Sequence, residues 1–118
     1  MSENTSGDAP KNDPRSGLEQ VAALARREYP TSPMTKLILF ETSPPEKGKL
    51  QFRATPDDTH LNGMGIVHGG WAMTMLDNAI GLAAHSMVDA GEFCPSGETT
   101  VQFRAMIRPG QSCMCPLR

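Results

Sequence analysis

One segment of the sequence, GWAMTMLDNAIGLAAHSM at residues 70–87, most restricts the folds that are open to this chain. Its length and pattern predict a helix, and apolar residues occupy every face of that helix. A helix that is apolar all round must be enclosed by protein, because a large apolar surface would otherwise meet water. The sequence therefore predicts a buried central helix with other elements packed around it.

Three short stretches around this helix have the pattern of β-strands. Residues 35–41 (TKLILFE) are apolar and flanked by prolines, and residues 43–48 (SPPEKG) have the composition of a turn. Residues 50–55 alternate apolar and polar side chains, which predicts a half-buried hairpin with the first stretch. Residues 101–107 alternate in the same way until a proline–glycine pair ends the run. We expect an α+β fold in which an antiparallel sheet with one apolar face curls around the helix.

The N-terminal region has two parts with different compositions. Residues 1–16 lack aromatic and β-branched aliphatic side chains and are rich in Ser, Asn, Asp, Pro and Gly, which predicts a disordered tail. Ser16 then has the position of a helix cap, with Glu19 three residues later as its capping-box partner. Pro30 is expected to end this helix at about residue 28. A length of 118 residues favours a single domain after the tail.

The charge of the chain is nearly balanced, with 11 Lys and Arg residues against 13 Asp and Glu residues. No positive charge is in excess to neutralise phosphates, which argues against a nucleic-acid binder and against attraction to an anionic membrane. The longest stretch without Asp, Glu, Lys or Arg, 61–76, is interrupted by four glycines and a histidine, so a membrane span is not expected. The first residues lack the apolar segment of a signal peptide, and we expect a cytoplasmic protein.

The cysteines predict neither disulfides nor a metal site. Cys94, Cys113 and Cys115 form no even set in a chain without an export signal, so structural disulfides are not expected. The close pair at 113 and 115 has no second pair and no nearby histidine to complete a metal site.

Two glycines at the start of the central helix are the first candidate for chemistry. Gly69 and Gly70 leave the first backbone N–H groups sterically open, so a carbonyl oxygen can approach them and gain from the helix dipole as it becomes negative. This pattern is typical of an oxyanion hole. It is equally typical of a tight turn into a packed helix, and the residues alone do not separate the two interpretations.

Asp77 is the second candidate, because it interrupts the apolar pattern of the predicted helix. A carboxylate enclosed there would carry a desolvation penalty of several kcal/mol unless a partner or water reaches it. One interpretation is a carboxylate held by backbone N–H groups of a neighbouring strand, and the other is a general base or nucleophile. His68 and Asn62 precede the helix, and packing or turn formation explains them as well as catalysis does.

The spacing of the two candidates leads to an expectation about assembly. Gly69 and Asp77 are eight residues apart, about 12 Å along one helix, which is beyond the reach of an Asp side chain. They cannot act on the same carbonyl within one chain. If both act together, Asp77 of one subunit faces Gly69 of another across a two-fold axis, which predicts a dimer with two equivalent shared sites.

These residues also resemble a known family. Asn62, Gly65, the run IVHGG at 66–70, and Asp77, with their spacings, are similar to the hotdog-fold acyl-CoA thioesterases of the phenylacetate-degradation type. Thr99 and Thr100, before the third predicted strand, resemble the next signature of that family. The resemblance covers about residues 35–110. It implies a hotdog domain over residues 17–118.

The resemblance implies a role for each matching residue. Asp77 would be the general base or nucleophile, and the Gly69 N–H would polarise the thioester carbonyl. His68 and Asn62 would position the carbonyl or water, and Thr99 would orient the water. The residues expected to contact substrate are Gly70, Trp71 and Met73, although methionine and tryptophan at helical spacing are more often part of a core.

The implied reaction is hydrolysis of an acyl-CoA to a free acid and CoA, without metal or cofactor, since CoA is part of the substrate. The alternative is a non-catalytic protein that binds acyl-CoA or a partner in the same pocket. Family members continue the sheet with two or three further strands, whereas residues 111–118 (QSCMCPLR) show no strand pattern. We therefore expect the last strands to be missing, with part of the helix uncovered.

Overall fold

The structure is a computed structural model that describes residues 13–30 and 32–117. Two helices and three strands are present in the described chain, with a single 3₁₀ turn at Asp58–His60. In chain order the helices and strands are α1 (Gly17–Ala25), β1 (Phe40–Thr42), β2 (Leu50–Ala54), α2 (Gly69–His85) and β3 (Cys113–Leu117). The predicted tail at 1–16 falls largely outside the described residues, which include only its last four positions.

The three strands form an antiparallel sheet in the order β1-β2-β3. Phe40 pairs with Ala54, and Thr42 pairs with Phe52, which confirms the predicted hairpin. The first strand begins at residue 40 rather than 35, because residues 33–37 form turns. Lys36 N–H donates to the Ser32 carbonyl at 3.1 Å, and this helical hydrogen bond is incompatible with extended backbone.

The third strand is not where the alternating pattern predicted it. Residues 101–107 are irregular in the structure, and Cys113–Leu117 occupies the position beside β2. The expectations of a strand at 101–107 and of none at 111–118 are therefore wrong.

The pairing of β3 with β2 is explained by the alternating burial of its side chains. Cys113, Cys115 and Leu117 are half-buried and pack against the core, whereas Met114 and Pro116 point outward. Cysteine behaves here as a small apolar residue. A proline is tolerated because β3 lies at an edge of the described sheet, where one row of backbone groups needs no ladder partner.

The core lies between β2 and one face of α2. The alternation of β2 buries Leu50, Phe52 and Ala54, as predicted. Phe52 is fully buried and stacks on Phe40, with ring centroids 4.4 Å apart. The other buried apolar members of this cluster are Val21, Ile38, Val67, Trp71, Met75 and Ala79.

Helix α2 is covered on one face only. Trp71, Met75 and Ala79 are buried, whereas 45% of Met73 and 38% of Ile80 remain exposed. The prediction of a helix enclosed on every side is therefore wrong for the single chain, because a three-stranded sheet covers only one side of it. The expectation that part of the helix is uncovered is confirmed. The uncovered face carries the candidate site.

Helix α1 begins as predicted and packs against the end of α2. The Ser16 hydroxyl accepts from Glu19 N–H at 3.2 Å, and the Glu19 carboxylate accepts from Ser16 N–H at 3.0 Å, which confirms the capping box. The helix ends at Ala25, three residues earlier than expected. Gly17 N–H donates to the carbonyl of Val88 at 2.9 Å, which holds the start of α1 against the end of α2.

A small network ties the described end of the tail to the residues after α1. Arg15 donates from Nη2 to an Asp13 carboxylate oxygen at 2.8 Å and to the Tyr29 hydroxyl at 2.7 Å, and that hydroxyl donates to Asp13 at 2.7 Å. The hydrogen bonds from Arg15 and Tyr29 hold the pKa of Asp13 well below its usual range. Burial and the bond to Asp13 raise the pKa of Tyr29 to about 12.

The Asp13→Asn substitution is expected to lower the melting temperature at neutral pH. The folded-state pKa of Asp13 is depressed, so its contribution is present above the ordinary carboxyl pKa of about 4 and is lost as the pH falls below it. Thermal unfolding of both proteins across the acid range measures this. A difference that does not shrink in acid would contradict the assignment, and Asp58→Asn, at an exposed carboxylate, is the control.

Candidate functional site

The start of α2 is built from a histidine cap and two glycines. His68 has extended backbone (φ −61°, ψ 133°), and its Nδ1 accepts from Gly70 N–H at 2.8 Å. A side-chain acceptor at this position satisfies one of the N–H groups that a helix start leaves without a partner. The Gly70 N–H is therefore occupied by His68, and His68 acts as a helix cap in this structure.

The Gly69 N–H remains the available donor. No hydrogen bond from this group is found within residues 13–30 and 32–117. The Phe103 ring lies beside Gly69, since a Cβ built on that glycine would be 3.2 Å from Phe103 Cε1. Phe103 itself is 60% exposed and belongs to the irregular segment, so the ring covers Gly69 without being locked in the core.

The loop before the helix is held by Asn62. Its side-chain oxygen accepts from the N–H groups of Met64 at 2.8 Å and Ile66 at 3.3 Å. Gly65 has a positive φ of 80°, which completes the tight turn. His68 N–H donates to the His60 carbonyl at 2.8 Å, so the loop directs the chain into the start of α2. Asn62 thus has an evident structural task.

Asp77 lies on the uncovered face of α2. Residues 69, 73 and 77 are four apart, so they share one side of the helix, with the exposed Met73 between the two candidate groups. The premise of a buried, desolvated carboxylate is wrong, because Asp77 is exposed. Its Oδ1 accepts from the Ser96 hydroxyl at 2.8 Å.

Of the remaining predicted residues, Trp71 lies on the buried side of α2 and Thr99 lies outside the helix. Trp71 is 5% exposed and lies in the core beside His60, with ring centroids 5.9 Å apart, away from the Asp77 face. Thr99 is exposed in the irregular segment. The hydroxyl that reaches Asp77 is that of Ser96, which the sequence analysis missed. Ser96 stands among turn-forming residues, and no local pattern marks it.

Replacing His68 with alanine is expected to destabilise the protein by about 1 kcal/mol, because the Gly70 N–H loses its capping acceptor. Thermal or denaturant unfolding measures the loss. His68→Asn restores a side-chain acceptor and should recover most of the stability. If the alanine and asparagine variants unfold alike, the capping role does not hold.

The described residues contain neither a membrane-spanning helix nor a group of metal ligands. No helix among them is long and apolar enough to cross a membrane. Within the same part of the chain, no three His, Cys, Asp or Glu side chains are grouped to hold a metal ion.

Comparison with known proteins finds one family. The family model described as Thioesterase superfamily matches residues 64–118, slightly less than half of the chain. The matched stretch contains α2, the irregular segment and β3, and therefore both Gly69 and Asp77. No curated protein and no solved structure matches the chain.

The match agrees with the architecture. It implies a hotdog fold, and a three-stranded antiparallel sheet against α2 in a mixed α+β chain is consistent with part of one. It also supports a thioester hydrolase activity in general. Residues 64–118, which include the uncovered face of α2, are thus similar to the thioesterase superfamily.

Proposed function

We propose that this chain hydrolyses acyl-CoA thioesters to a free acid and CoA. The observation that carries the proposal is the uncovered face of α2. There the Gly69 N–H, which has no acceptor among the described residues, and the exposed Asp77 carboxylate lie within the stretch that matches the thioesterase superfamily. A donor at a helix start and a carboxylate base are the two groups that thioester hydrolysis needs.

The chemistry follows from these two groups. The thioester carbonyl oxygen accepts from Gly69 N–H, and the positive end of the α2 dipole stabilises the negative charge that develops there. Asp77 removes a proton from a water molecule, whose oxygen forms a bond to the carbonyl carbon. The C–S bond then breaks, the thiolate of CoA leaves with that electron pair, and the proton is returned to it.

The proposal requires two chains at each site. Gly69 and Asp77 are separated by two turns of α2, about 12 Å, so they do not reach the same carbonyl within one chain. Two copies of the uncovered face, packed antiparallel around a two-fold axis, bring the partner subunit's Asp77 to Gly69. Exposed Met73 lies in the middle of this face, where burial against a second copy is favourable. A dimer, or a dimer of dimers, is the proposed assembly.

The finer assignments are part of the same proposal. The substrate class is that of the phenylacetate-degradation type, with CoA as part of the substrate, no additional cofactor, and a cytoplasmic location. Asn62 and His68 shape the site through the loop and the cap, and Gly70 and Met73 line it. The Ser96 hydroxyl is better placed than that of Thr99 to orient the water, since it already contacts Asp77. Thr99 is the second candidate for this role.

A thiol-release assay across aryl, short-chain and long-chain acyl-CoA substrates tests the activity, together with size-exclusion chromatography of the same sample. We expect a dimer that releases CoA from at least one substrate class. A folded dimer that binds acyl-CoA without releasing thiol would contradict the proposal and favour the non-catalytic alternative. A folded monomer with turnover would contradict the shared site.

Mixed dimers test the shared site directly. Asp77→Asn and Gly69→Trp chains should each be inactive alone, and mixing them should restore about a quarter of the wild-type activity. Half of the randomly exchanged dimers are hybrids, and each hybrid has one intact site of two. Chain exchange is verified with a tagged copy. Absence of rescue in exchanging, folded mixtures would show that the two groups do not act across the interface.

A further inference from the structure

A cavity of about 320 Å³ lies between the end of α1 and the first strand. Its apolar wall is formed by Leu24, Leu39 and Phe40, with the ring of Tyr29 beside them, and its polar groups include Arg27, Thr35 and Glu41. None of its lining residues belongs to α2 or to the loop before it. The cavity is therefore separate from the proposed thioesterase site. Its volume falls within the range of small-molecule sites.

Arg27 stands at a backbone position that normally selects glycine. Its φ is +59°, in the left-handed region. Arg27 N–H donates to the Leu24 carbonyl at 2.9 Å, and Glu28 N–H donates to the Ala23 carbonyl at 3.0 Å, which is the Schellman arrangement at a helix end. A residue with a Cβ is strained there, so the conformation alone favours glycine. The arginine side chain is thus the feature that helix termination does not explain.

The Arg27 guanidinium has unused hydrogen-bonding capacity at the cavity. Nη2 donates to the Phe40 carbonyl at 3.3 Å, and the other N–H groups have no acceptor within the described part of the chain. No carboxylate there lies within ion-pair distance of Arg27, although Glu41 lines the same cavity. A guanidinium with N–H groups to spare and no carboxylate partner among the described residues is suited to bind a planar, singly charged anion.

The hydroxyl groups that line the cavity differ in whether they are free to donate a hydrogen bond to a ligand. The Tyr29 hydroxyl accepts from Arg15 and donates to Asp13, so it contributes only its ring. Ser32 donates to Thr35 Oγ1 at 2.6 Å and accepts from Thr35 N–H at 3.2 Å. The Thr35 hydroxyl proton has no acceptor in the described chain. The Thr42 hydroxyl donates to the Gln51 carbonyl at 3.2 Å, so among the described residues one hydroxyl donor accompanies Arg27.

We propose that this cavity binds a small organic carboxylate with an apolar body. The carboxylate pairs with Arg27 and accepts from the Thr35 hydroxyl, and the body packs against Leu24, Leu39 and Phe40. Glu41 repels a second negative charge, so a monoanionic carboxylate is preferred over a phosphate. The inference stands apart from the proposed thioesterase activity, because the two sites share no residue.

Titration of the full chain with octanoate, followed by amide NMR shifts, tests the site. A carboxylate is also a product of the proposed reaction, so the location of the shifts separates the two sites: shifts at Thr35 and Leu39 support the cavity. Shifts confined to Gly69 and Met73 would overturn it. Octanol and inorganic phosphate serve as comparison probes, and equal binding of either one would overturn the carboxylate assignment.

Variants of Arg27 distinguish ligand binding from folding. Arg27→Gly relieves the left-handed strain, so the melting temperature should rise while octanoate binding weakens about ten-fold or more. Arg27→Asn, which also tolerates this backbone, should weaken binding equally, and Arg27→Lys should retain part of it. Glu41→Gln should tighten binding. Unchanged octanoate affinity in Arg27→Gly would overturn the proposal.

Discussion

Asp77→Asn is expected to lower acyl-CoA turnover by about 10²–10⁴-fold while leaving the fold intact. The amide has nearly the volume of the carboxylate, and its oxygen can still accept from the Ser96 hydroxyl. Asp77 is exposed on α2, so the substitution leaves no cavity and no buried group without a partner. What it removes is the negative charge and the basicity that the proposed hydrolysis requires. Thiol release measures the loss, and thermal unfolding verifies the fold.

The matched control is Asp89→Asn, at an exposed carboxylate beyond the end of α2. It changes the net charge by the same amount and should leave turnover close to that of the wild type. If Asp77→Asn retains activity within about a factor of two, Asp77 is neither base nor nucleophile. Equal losses in both variants would point to a general effect of charge.

Gly17→Ala is expected to lower the free energy of unfolding by about 2–3 kcal/mol. A Cβ at Gly17 would lie 1.8 Å from the carbonyl oxygen of His85 and 2.9 Å from Val88. The closest contact is with a backbone oxygen, which cannot rotate away as a flexible side chain does. The hydrogen bond from Gly17 N–H to the Val88 carbonyl fixes the close approach, so α1 must separate from α2 to admit the methyl group.

Gly63→Ala is the control for this effect. Gly63 lies in the loop before α2, its φ is not in the left-handed region, and a Cβ there meets nothing within 4 Å among the described residues. Alanine should therefore stabilise the protein by about 0.4–1 kcal/mol, through the lower entropy of the unfolded chain. Chemical denaturation should give changes in the free energy of unfolding that have opposite signs for the two variants. If both substitutions destabilise the protein by similar amounts, the close contact at Gly17 is not the cause of the loss of stability.

Features that depend on near neighbours were predictable from the sequence. The capping box of Ser16 and Glu19 joins residues three apart, and the alternation of β2 follows from the two-residue period of a strand. The start of α2 at the two glycines was predicted to within one residue. In each case the hydrogen bonds or the side-chain directions are decided within a few residues.

Contacts between distant segments were decided by the tertiary structure. Residues 101–107 have the stronger strand pattern, yet Cys113–Leu117 pairs with β2, because strand pairing is a competition between segments for one position in the sheet. That choice leaves 101–107 irregular and brings Phe103 over Gly69.

The candidate site shows the same division. The residue pattern alone predicts that Gly69 and Asp77 lie on one helix about 12 Å apart, since a helix has a constant rise per residue. The exposure of Asp77, its contact with Ser96 and the place of Arg27 at a cavity beside β1 follow from contacts between distant segments. Exposure depends on which elements cover a helix face, and that is a property of how the whole chain packs.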